Sequence, residues 1–250
     1  QLLQGEAWHS IIGPMNLALI IAAVVITLIG LSPIVLHWVY RAPRRVETTT
    51  PESHSLPFST QYLPGPKGKR LYAWLIPGKH HRCTVILVHG WGANAQMLLP
   101  LAQPFYQAGL NVLLYDARSH GKSDGDTFSS LPRFAEDLGC AIDWTKQRNP
   151  RQKIVVLGHS IGAAAAMLAA SHRTDIDLVI GLSGFAHPDL VMRRHLDRPW
   201  LPRFLRPLIM HYIQWMIGYR FEAIAPMNRI RHVRCPVLLV HGAKDTVVPI

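Results

Sequence analysis

The chain has 250 residues, a formal net charge of +11 at pH 7 and a pI near 10.0. The positive charge is dispersed along the sequence without a recognition helix or an aromatic stacking platform, so it argues against nucleic acid and for anionic lipid as the partner. The three cysteines are odd in number and lack metal-ligand spacing, which excludes a complete disulfide framework.

The N-terminal part predicts a membrane anchor at residues 15–40, preceded by a tail at 1–14. No Asp, Glu, Lys or Arg occurs in residues 7–40, and residues 17–36 are almost wholly apolar. About 20 such residues form a helix that spans a bilayer. A cleaved signal peptide is the main alternative, but it would need a basic start, a shorter apolar core and a cleavage site of small residues. A buried core helix is a weaker alternative.

The charges beside this segment predict its orientation. Arg41, Arg44 and Arg45 follow it, whereas only Glu6 precedes it. The positive-inside rule therefore predicts a single-pass protein whose C-terminal domain faces the cytoplasm. The sequence starts with Gln1, and a start at Met15 would leave the apolar segment intact.

A linker rich in Pro, Thr and Ser is predicted at 41–58, followed by one domain at 59–250. Short apolar runs in this domain predict seven strands, at 59–63, 71–76, 84–88, 110–115, 153–157, 178–182 and 236–240. Helices are predicted at 94–108, 134–148 and 161–172. The alternation of strand and helix predicts an α/β fold with a mostly parallel, doubly wound sheet.

The sequence Gly158-His159-Ser160-Ile161-Gly162 lies between a predicted strand and an alanine-rich predicted helix. In this context G-x-S-x-G is typical of a nucleophile elbow, a sharp turn that exposes the serine hydroxyl. A structural Gly-rich turn is the alternative interpretation.

A second loop, His89-Gly90-Trp91-Gly92, follows the strand at 84–88. Acyl transfer needs backbone N–H donors aimed at the developing oxyanion, and glycines allow a loop to approach closely. We expect Trp91 and Ile161 to supply these donors. For the His89 side chain we expect loop packing.

A third loop carries Asp116, Arg118 and His120, and a carboxylate, Asp245, follows the last predicted strand. The first three residues resemble a catalytic cluster, but such residues in a Gly-containing loop more often bind the backbone of their own turn. Asp245 suits the acid of a catalytic triad.

A long insertion at about 187–228 interrupts the alternation and predicts a helical lid. It contains many large apolar residues and six arginines. This mixture suits a cap that contacts anionic headgroups or an acyl substrate. A solvated face of ordinary cap helices is the equal alternative.

Taken together, these motifs resemble the α/β-hydrolase superfamily, in its lipase, esterase and serine-aminopeptidase-like branch, over about residues 71–250. The resemblance implies that Ser160 is the nucleophile and Asp245 the acid. It places the histidine base about 30 residues after the acid, so we expect a C-terminally truncated sequence without the last helix, strand and histidine. Weaker alternatives are His187, His195 or His211 as the base and Asp189 as the acid.

The sequence thus predicts a membrane-anchored serine hydrolase that cleaves carboxylic esters, with lipid-derived esters as one candidate class, without a metal or other cofactor. A peptidase, thioesterase or acyltransferase of the same fold remains open, because fold does not determine substrate. The competing class is a non-catalytic, hydrolase-like membrane protein.

Overall fold

The computed structural model describes residues 17, 19–27, 30–32, 34–35, 37–38, 41–80, 82–245 and 248. The chain forms two compact units, Gln1–Arg41 and Ala42–Ile250. All the described residues between 17 and 38 are helical. Judged on the described residues, no helix is both long enough and apolar enough to cross a membrane. The predicted tail at 1–14 and the rest of the predicted anchor at 15–40 lie outside the described residues.

The second unit is built on one seven-stranded sheet. Its strands are β1 Ser59–Pro64, β2 Arg70–Ile76, β3 Cys83–Val88, β4 Asn111–Tyr115, β5 Lys153–His159, β6 Leu178–Leu182 and β7 Val237–Val240. The spatial order is β1-β2-β4-β3-β5-β6-β7. β2 is antiparallel to β1 and to β4, and all the other pairs are parallel. The predicted mostly parallel sheet is therefore confirmed.

Helices pack between and around these strands. They are α1 Leu99–Gln107, α2 Leu131–Arg148, α3 Ile161–Ala170, α4 Pro188–Leu196, α5 Leu205–Ile217, α6 Phe221–Ile224 and α7 Pro226–Arg229. Short 3-10 turns occupy Pro51–His54, Pro66–Gly68, Ala95–Leu98 and Ile230–His232. Helices α4 to α7 form the insertion between β6 and β7.

Two helix starts differ from the sequence-based expectation. α2 begins at Leu131 rather than at residue 134, because Pro132 lies in the first turn, where no N–H partner is lost. The helix expected from residue 94 begins as the 3-10 turn Ala95–Leu98 and becomes α-helical only at Leu99.

The core lies on both faces of the central strands. All five residues of β4 are buried, as are the last five of β3. α3 packs directly on the sheet, and nine of its ten residues are buried, mostly alanines. Small side chains allow this close approach, which fixes the N-terminus of α3 at the carboxyl end of β5.

Candidate active site

Ser160 occupies a strained turn between β5 and α3. Its backbone φ is 55° and its ψ is −119°, a region that non-glycine residues rarely enter. The Ser160 N–H donates to Leu182 O at 2.9 Å, and the Ser160 carbonyl accepts from Ala163 N–H at 3.0 Å. Neighbouring elements therefore hold the serine in this conformation from both sides.

The glycines on either side of Ser160 are required sterically. A Cβ on Gly158 would overlap the backbone of Gly162, and a Cβ on Gly162 would overlap the carbonyl of Val88 at the end of β3. β3, β5 and α3 thus converge with backbone against backbone, and side chains are excluded at both positions.

The loop after β3 lies against the nucleophile. A Cβ on Gly90 would lie 3.5 Å from Ser160 Cβ and 3.2 Å from His159 Nδ1. Within the described part of the chain, the N–H groups of Trp91 and Ile161 donate to no acceptor. Ile161 is the first residue of α3, where backbone N–H groups are free and the helix dipole is positive. Both amides are thus available to an oxyanion.

Two buried histidines hold the residues on either side of Trp91. His89 Nδ1–H donates to Gly90 O at 2.7 Å, while His120 Nε2 accepts from Gly92 N–H at 3.0 Å. The peptide units before and after Trp91 are thus each fixed by one histidine. His89 has the loop-packing contacts expected from the sequence.

The hydrogen bonds of the second nitrogen in each ring show that both imidazoles are neutral. His89 Nε2 accepts from Ala117 N–H at 3.0 Å, and His120 Nδ1–H donates to Arg118 O at 2.9 Å. Since one nitrogen of each ring accepts from a backbone N–H, each ring is neutral. Burial lowers the pKa of His89 to about 3 and the pKa of His120 to about 4.

Asp116 has a structural role beneath this loop. Its Oδ1 accepts from Ala95 N–H at 2.8 Å and its Oδ2 from Lys122 N–H at 2.9 Å. The carboxyl group of Glu47 lies beside it, and a Cβ on Gly121 would overlap both carboxyl groups. Burial, with a further contribution from Glu47, raises the pKa of Asp116 well above its ordinary value. Asp116 thus joins its own loop, at Lys122, to the 3-10 turn at Ala95. The guanidinium of Arg118 instead forms ion pairs with acidic side chains of α2.

Residues 42–49, which we term the strap, contact the segment that follows β3. Asn94 Nδ2 donates to Arg45 O at 3.0 Å. Gln96 Oε1 accepts from Thr48 N–H at 2.7 Å. The strap falls within the segment that sequence reasoning interpreted as a linker, and it belongs to the same compact unit as the sheet.

The carboxyl edge of the sheet brings Asp245 to the same side as Ser160. His159 aligns with Leu182, which aligns with Val240, so the ends of β5 and β7 lie about 10 Å apart. The negative charge of Asp245 raises the pKa of His159, against a larger lowering by burial. Asp245 Oδ2 lies 3.7 Å from His241 Nε2. Within the part of the chain that is described, no imidazole hydrogen-bonds to Ser160 Oγ.

The alternative bases and the alternative acid all lie in the insertion. His187 Nε2 lies 3.2 Å from a carboxylate oxygen of Glu222. His195 Nδ1–H donates to the carbonyl of its own helix one turn earlier, at 2.9 Å. His211 lines a cavity between α4 and α5. Asp189 forms an ion pair with Arg193.

The sheet order and the strained turn at Ser160 define the α/β-hydrolase fold. Residues 79–224 match the family model of the serine aminopeptidases, S33, and the chain belongs to this family of hydrolases.

Solved and curated relatives agree with this fold. The esterase Pf2001 of Pyrococcus furiosus superposes with a TM-score of 0.68 at 25% identity, covering 84% of this chain and 80% of that one. YqkD of Bacillus subtilis is 33% identical over 172 residues, 67% of this chain and 56% of its own length. YNL320W of Saccharomyces cerevisiae, an uncharacterised membrane protein, is 28% identical over 218 residues, 85% and 70% of the two chains. The esterase-like fold suggests a small-molecule substrate.

Proposed function

We propose that this chain is a serine hydrolase that cleaves carboxylic esters, with lipid-derived esters as the substrate class, through an acyl-enzyme at Ser160. One observation carries the proposal: the strained Ser160 lies beside a loop whose Trp91 amide, like that of Ile161, is unpaired among the described residues. A strained backbone needs a compensating role, and nucleophile presentation supplies one. The likeness to the esterase Pf2001 favours an ester substrate.

Ser160 and the two backbone amides support a two-step hydrolysis of the ester. Ser160 Oγ attacks the acyl carbonyl carbon while a base removes its proton, and the new oxyanion accepts hydrogen bonds from the N–H groups of Trp91 and Ile161. Collapse of this intermediate breaks the ester bond, and the alcohol leaves with the proton from the base. Water then attacks the acyl-enzyme in the same way, which releases the acid and regenerates Ser160.

The base and its orienting acid complete this scheme. We assign the acid to Asp245, because it lies on the carboxyl edge of the sheet and its charge acts on the residue next to Ser160. Since no described imidazole binds Ser160 Oγ, we assign the base to a histidine outside the described residues. Asp245 would hold that ring in the tautomer that accepts the serine proton.

The membrane part of the proposal rests on other observations. The apolar segment 17–36, the helical described residues within it and the likeness to the membrane protein YNL320W support an N-terminal anchor. The arginines at 41, 44 and 45 support a catalytic unit that faces the cytoplasm. We further propose that the insertion between β6 and β7 acts as a lid. Resistance to alkaline extraction, with protease accessibility from the cytoplasmic side only, tests anchor and orientation.

A peptidase is the second candidate, because the matching family is described as serine aminopeptidases. Amide and ester hydrolysis use the same nucleophile and oxyanion donors, and they differ in the leaving group that must be protonated. The competing non-catalytic class has less support, since a binding module has no need of a strained serine turn.

The test uses the full-length natural protein. A fluorophosphonate probe should label Ser160, and Ser160→Ala should abolish the labelling. A panel of p-nitrophenyl esters and aminoacyl amides then separates the two candidates. Preference for the amides would make the protein a peptidase, and absence of labelling would leave only the non-catalytic class. Asp245→Asn should lower kcat by about 10⁴ by favouring the wrong histidine tautomer.

A further inference from the structure

Helix α5 in the insertion presents a row of large apolar side chains to solvent. Phe204, Leu208 and Trp215 are 76%, 65% and 73% exposed, and Trp200, just before the helix, is 78% exposed. At 100° per residue, the first three lie within about 40° of one another on one helix face. Met210 and Ile213, on the opposite side, are buried. We call these four exposed side chains the exposed row.

The residue types of the exposed row are those that favour the membrane interface. Contiguous exposed apolar residues on a soluble surface mark an interaction site. Tryptophan prefers the membrane interface, where its ring is buried among lipid and its N–H stays hydrated. Two of the four side chains, Trp200 and Trp215, are tryptophans.

A basic cavity of about 790 Å³ lies beside the exposed row, between α4 and α5. Its lining includes four arginines and two aspartates, which leaves a net charge of +2. These residues are Arg193, Arg194, Arg203, Arg206, Asp189 and Asp197. Asp189 pairs with Arg193, and Asp197 Oδ1 lies 2.9 Å from Arg206 Nη1. The planar guanidinium group binds phosphate oxygens in a bidentate manner, so this lining suits a phosphate group.

The insertion as a whole carries a net positive charge, as the lining of the cavity does. Residues 187–228 contain six arginines, no lysine and three acidic residues. Such a surface is attracted to anionic lipid, and each basic residue near the bilayer contributes about 1 kcal/mol. The exposed row supplies the apolar contact that charge alone does not provide.

We propose that α5 and the loop before it form a membrane-docking surface, in which the exposed row enters the bilayer interface and the basic cavity takes the phosphate of an anionic phospholipid. This surface goes beyond the proposed N-terminal anchor, because it is a second contact made by the catalytic unit itself. It would hold the insertion at the surface from which a lipid-derived ester enters.

Tryptophan fluorescence in vesicles tests the exposed row. The full-length protein is reconstituted in mixed phosphatidylcholine and phosphatidylglycerol vesicles with brominated acyl chains, which quench only tryptophans at the interface or deeper. Trp200→Phe and Trp215→Phe keep an aromatic ring but remove the fluorophore. We expect each variant to lose part of the lipid-quenched emission, whereas the control Trp144→Phe, in α2, loses only unquenched emission. Loss of unquenched emission alone in all three variants would overturn the proposal.

The contribution of the insertion's arginines to binding of anionic lipid is tested in the same vesicles. Arg203→Gln should weaken quenching of Trp200 and Trp215 when phosphatidylglycerol is present, and the control Arg151→Gln, an exposed arginine outside the insertion, should not. Equal quenching in pure phosphatidylcholine, or shielding of Trp215 from aqueous acrylamide before vesicles are added, would reject an anionic bilayer as the occupant. The second result would indicate contact between copies of the chain. Fluorophosphonate labelling of the same samples reports on Ser160 separately, so failure of one proposal does not imply failure of the other.

Discussion

Glu47 and Asp116 bury their carboxyl groups side by side, although Glu47 belongs to the strap and Asp116 follows β4. Glu47 has a side chain that is only 1% exposed, and its one cationic neighbour, among the described residues, is Lys122 Nζ at 3.7 Å. Burial, together with the neighbouring Glu47 carboxyl group, raises the pKa of Asp116 and so favours its protonated form. The strap therefore packs against the rest of the second unit through this pair of carboxyl groups.

Replacing Glu47 by Gln should make stability less dependent on pH. The pKa of Asp116 is higher in the folded protein than its ordinary value of 3.8, so folding binds a proton and stability falls as pH rises above about 4. The amide removes the neighbouring charge, and we expect Glu47→Gln to unfold at the same or a higher temperature than the natural protein at pH 8. The difference should shrink towards pH 5.

Thermal unfolding at several pH values measures this effect. Glu52→Gln, an exposed residue shortly after the strap, is the matched control and should follow the natural protein. A pH-independent loss of stability in Glu47→Gln would show instead that an ionised Glu47 stabilises the fold through Lys122.

His120→Ala should impair turnover more than substrate binding. The substitution removes the acceptor of Gly92 N–H, which frees the peptide unit that follows Trp91 and loosens the loop around its amide. Loss of one oxyanion donor costs about 10²–10³ in kcat, and a misplaced donor should cost part of that factor with KM little changed. Ester hydrolysis kinetics provide the measurement, and an unchanged kcat would contradict the assignment of Trp91.

The two neutral histidines predict sensitivity to mild acid. His89 and His120 have folded pKa values of about 3 and about 4, below the ordinary 6.5. The unfolded chain therefore binds more protons below pH 6.5, so stability is full above that pH and falls as pH decreases, by about 1.4 kcal/mol per pH unit for each histidine. Denaturant unfolding between pH 7 and pH 4 should show this slope, and His120→Gln should reduce it.

Ser160→Gly should be more stable than Ser160→Ala. Glycine adopts the positive φ of 55° without a steric penalty from a Cβ atom, whereas alanine has a Cβ atom and therefore keeps that penalty. We expect a difference on the order of 1 kcal/mol in the free energy of unfolding, measured by denaturant titration. Equal stabilities would mean that the turn relaxes when the hydroxyl is removed.

Gly162→Ala should destabilise the protein strongly, because its Cβ would meet the carbonyl of Val88. Overpacking against backbone costs about 1–3 kcal/mol or more. Gly139→Ala in α2 is the control, since its Cβ would lie 3.7 Å from the nearest atom, on the flexible side chain of Arg173. That change should be neutral or stabilise by up to about 1 kcal/mol, as alanine favours the helix. Similar losses in both variants would contradict the steric argument.

The strand pattern and the Ser160 turn were predictable because their signals are local. Apolar β-branched runs bounded by Gly and Pro predict buried strands, and the observed strands agree with the expected ones to within about two residues. The carboxylate of Asp116 matches its expected turn role at Lys122 N–H, which lies in its own loop. Arg118 does not match it, because its guanidinium binds Glu136 and Asp137 of α2.

Contacts between distant segments were not predictable in the same way. The strap contains one proline and two threonines without apolar periodicity, so nothing local indicates that Glu47 packs against Asp116. The role of His120 depends on the position of Gly92 in another loop. The cavity between α4 and α5 depends on helix packing that Pro199, Pro202 and Pro207 obscure in the sequence.

The strap sets where a shortened version of this protein should start. A protein that begins at Ser59, the first residue of the sheet, would lack Arg45 and Thr48 as partners of the loop and would leave Asp116 without Glu47. It would also lose Pro43, whose ring lies against Gly92. For expression without the N-terminal unit, the first residue should therefore be Ala42, where the second compact unit begins.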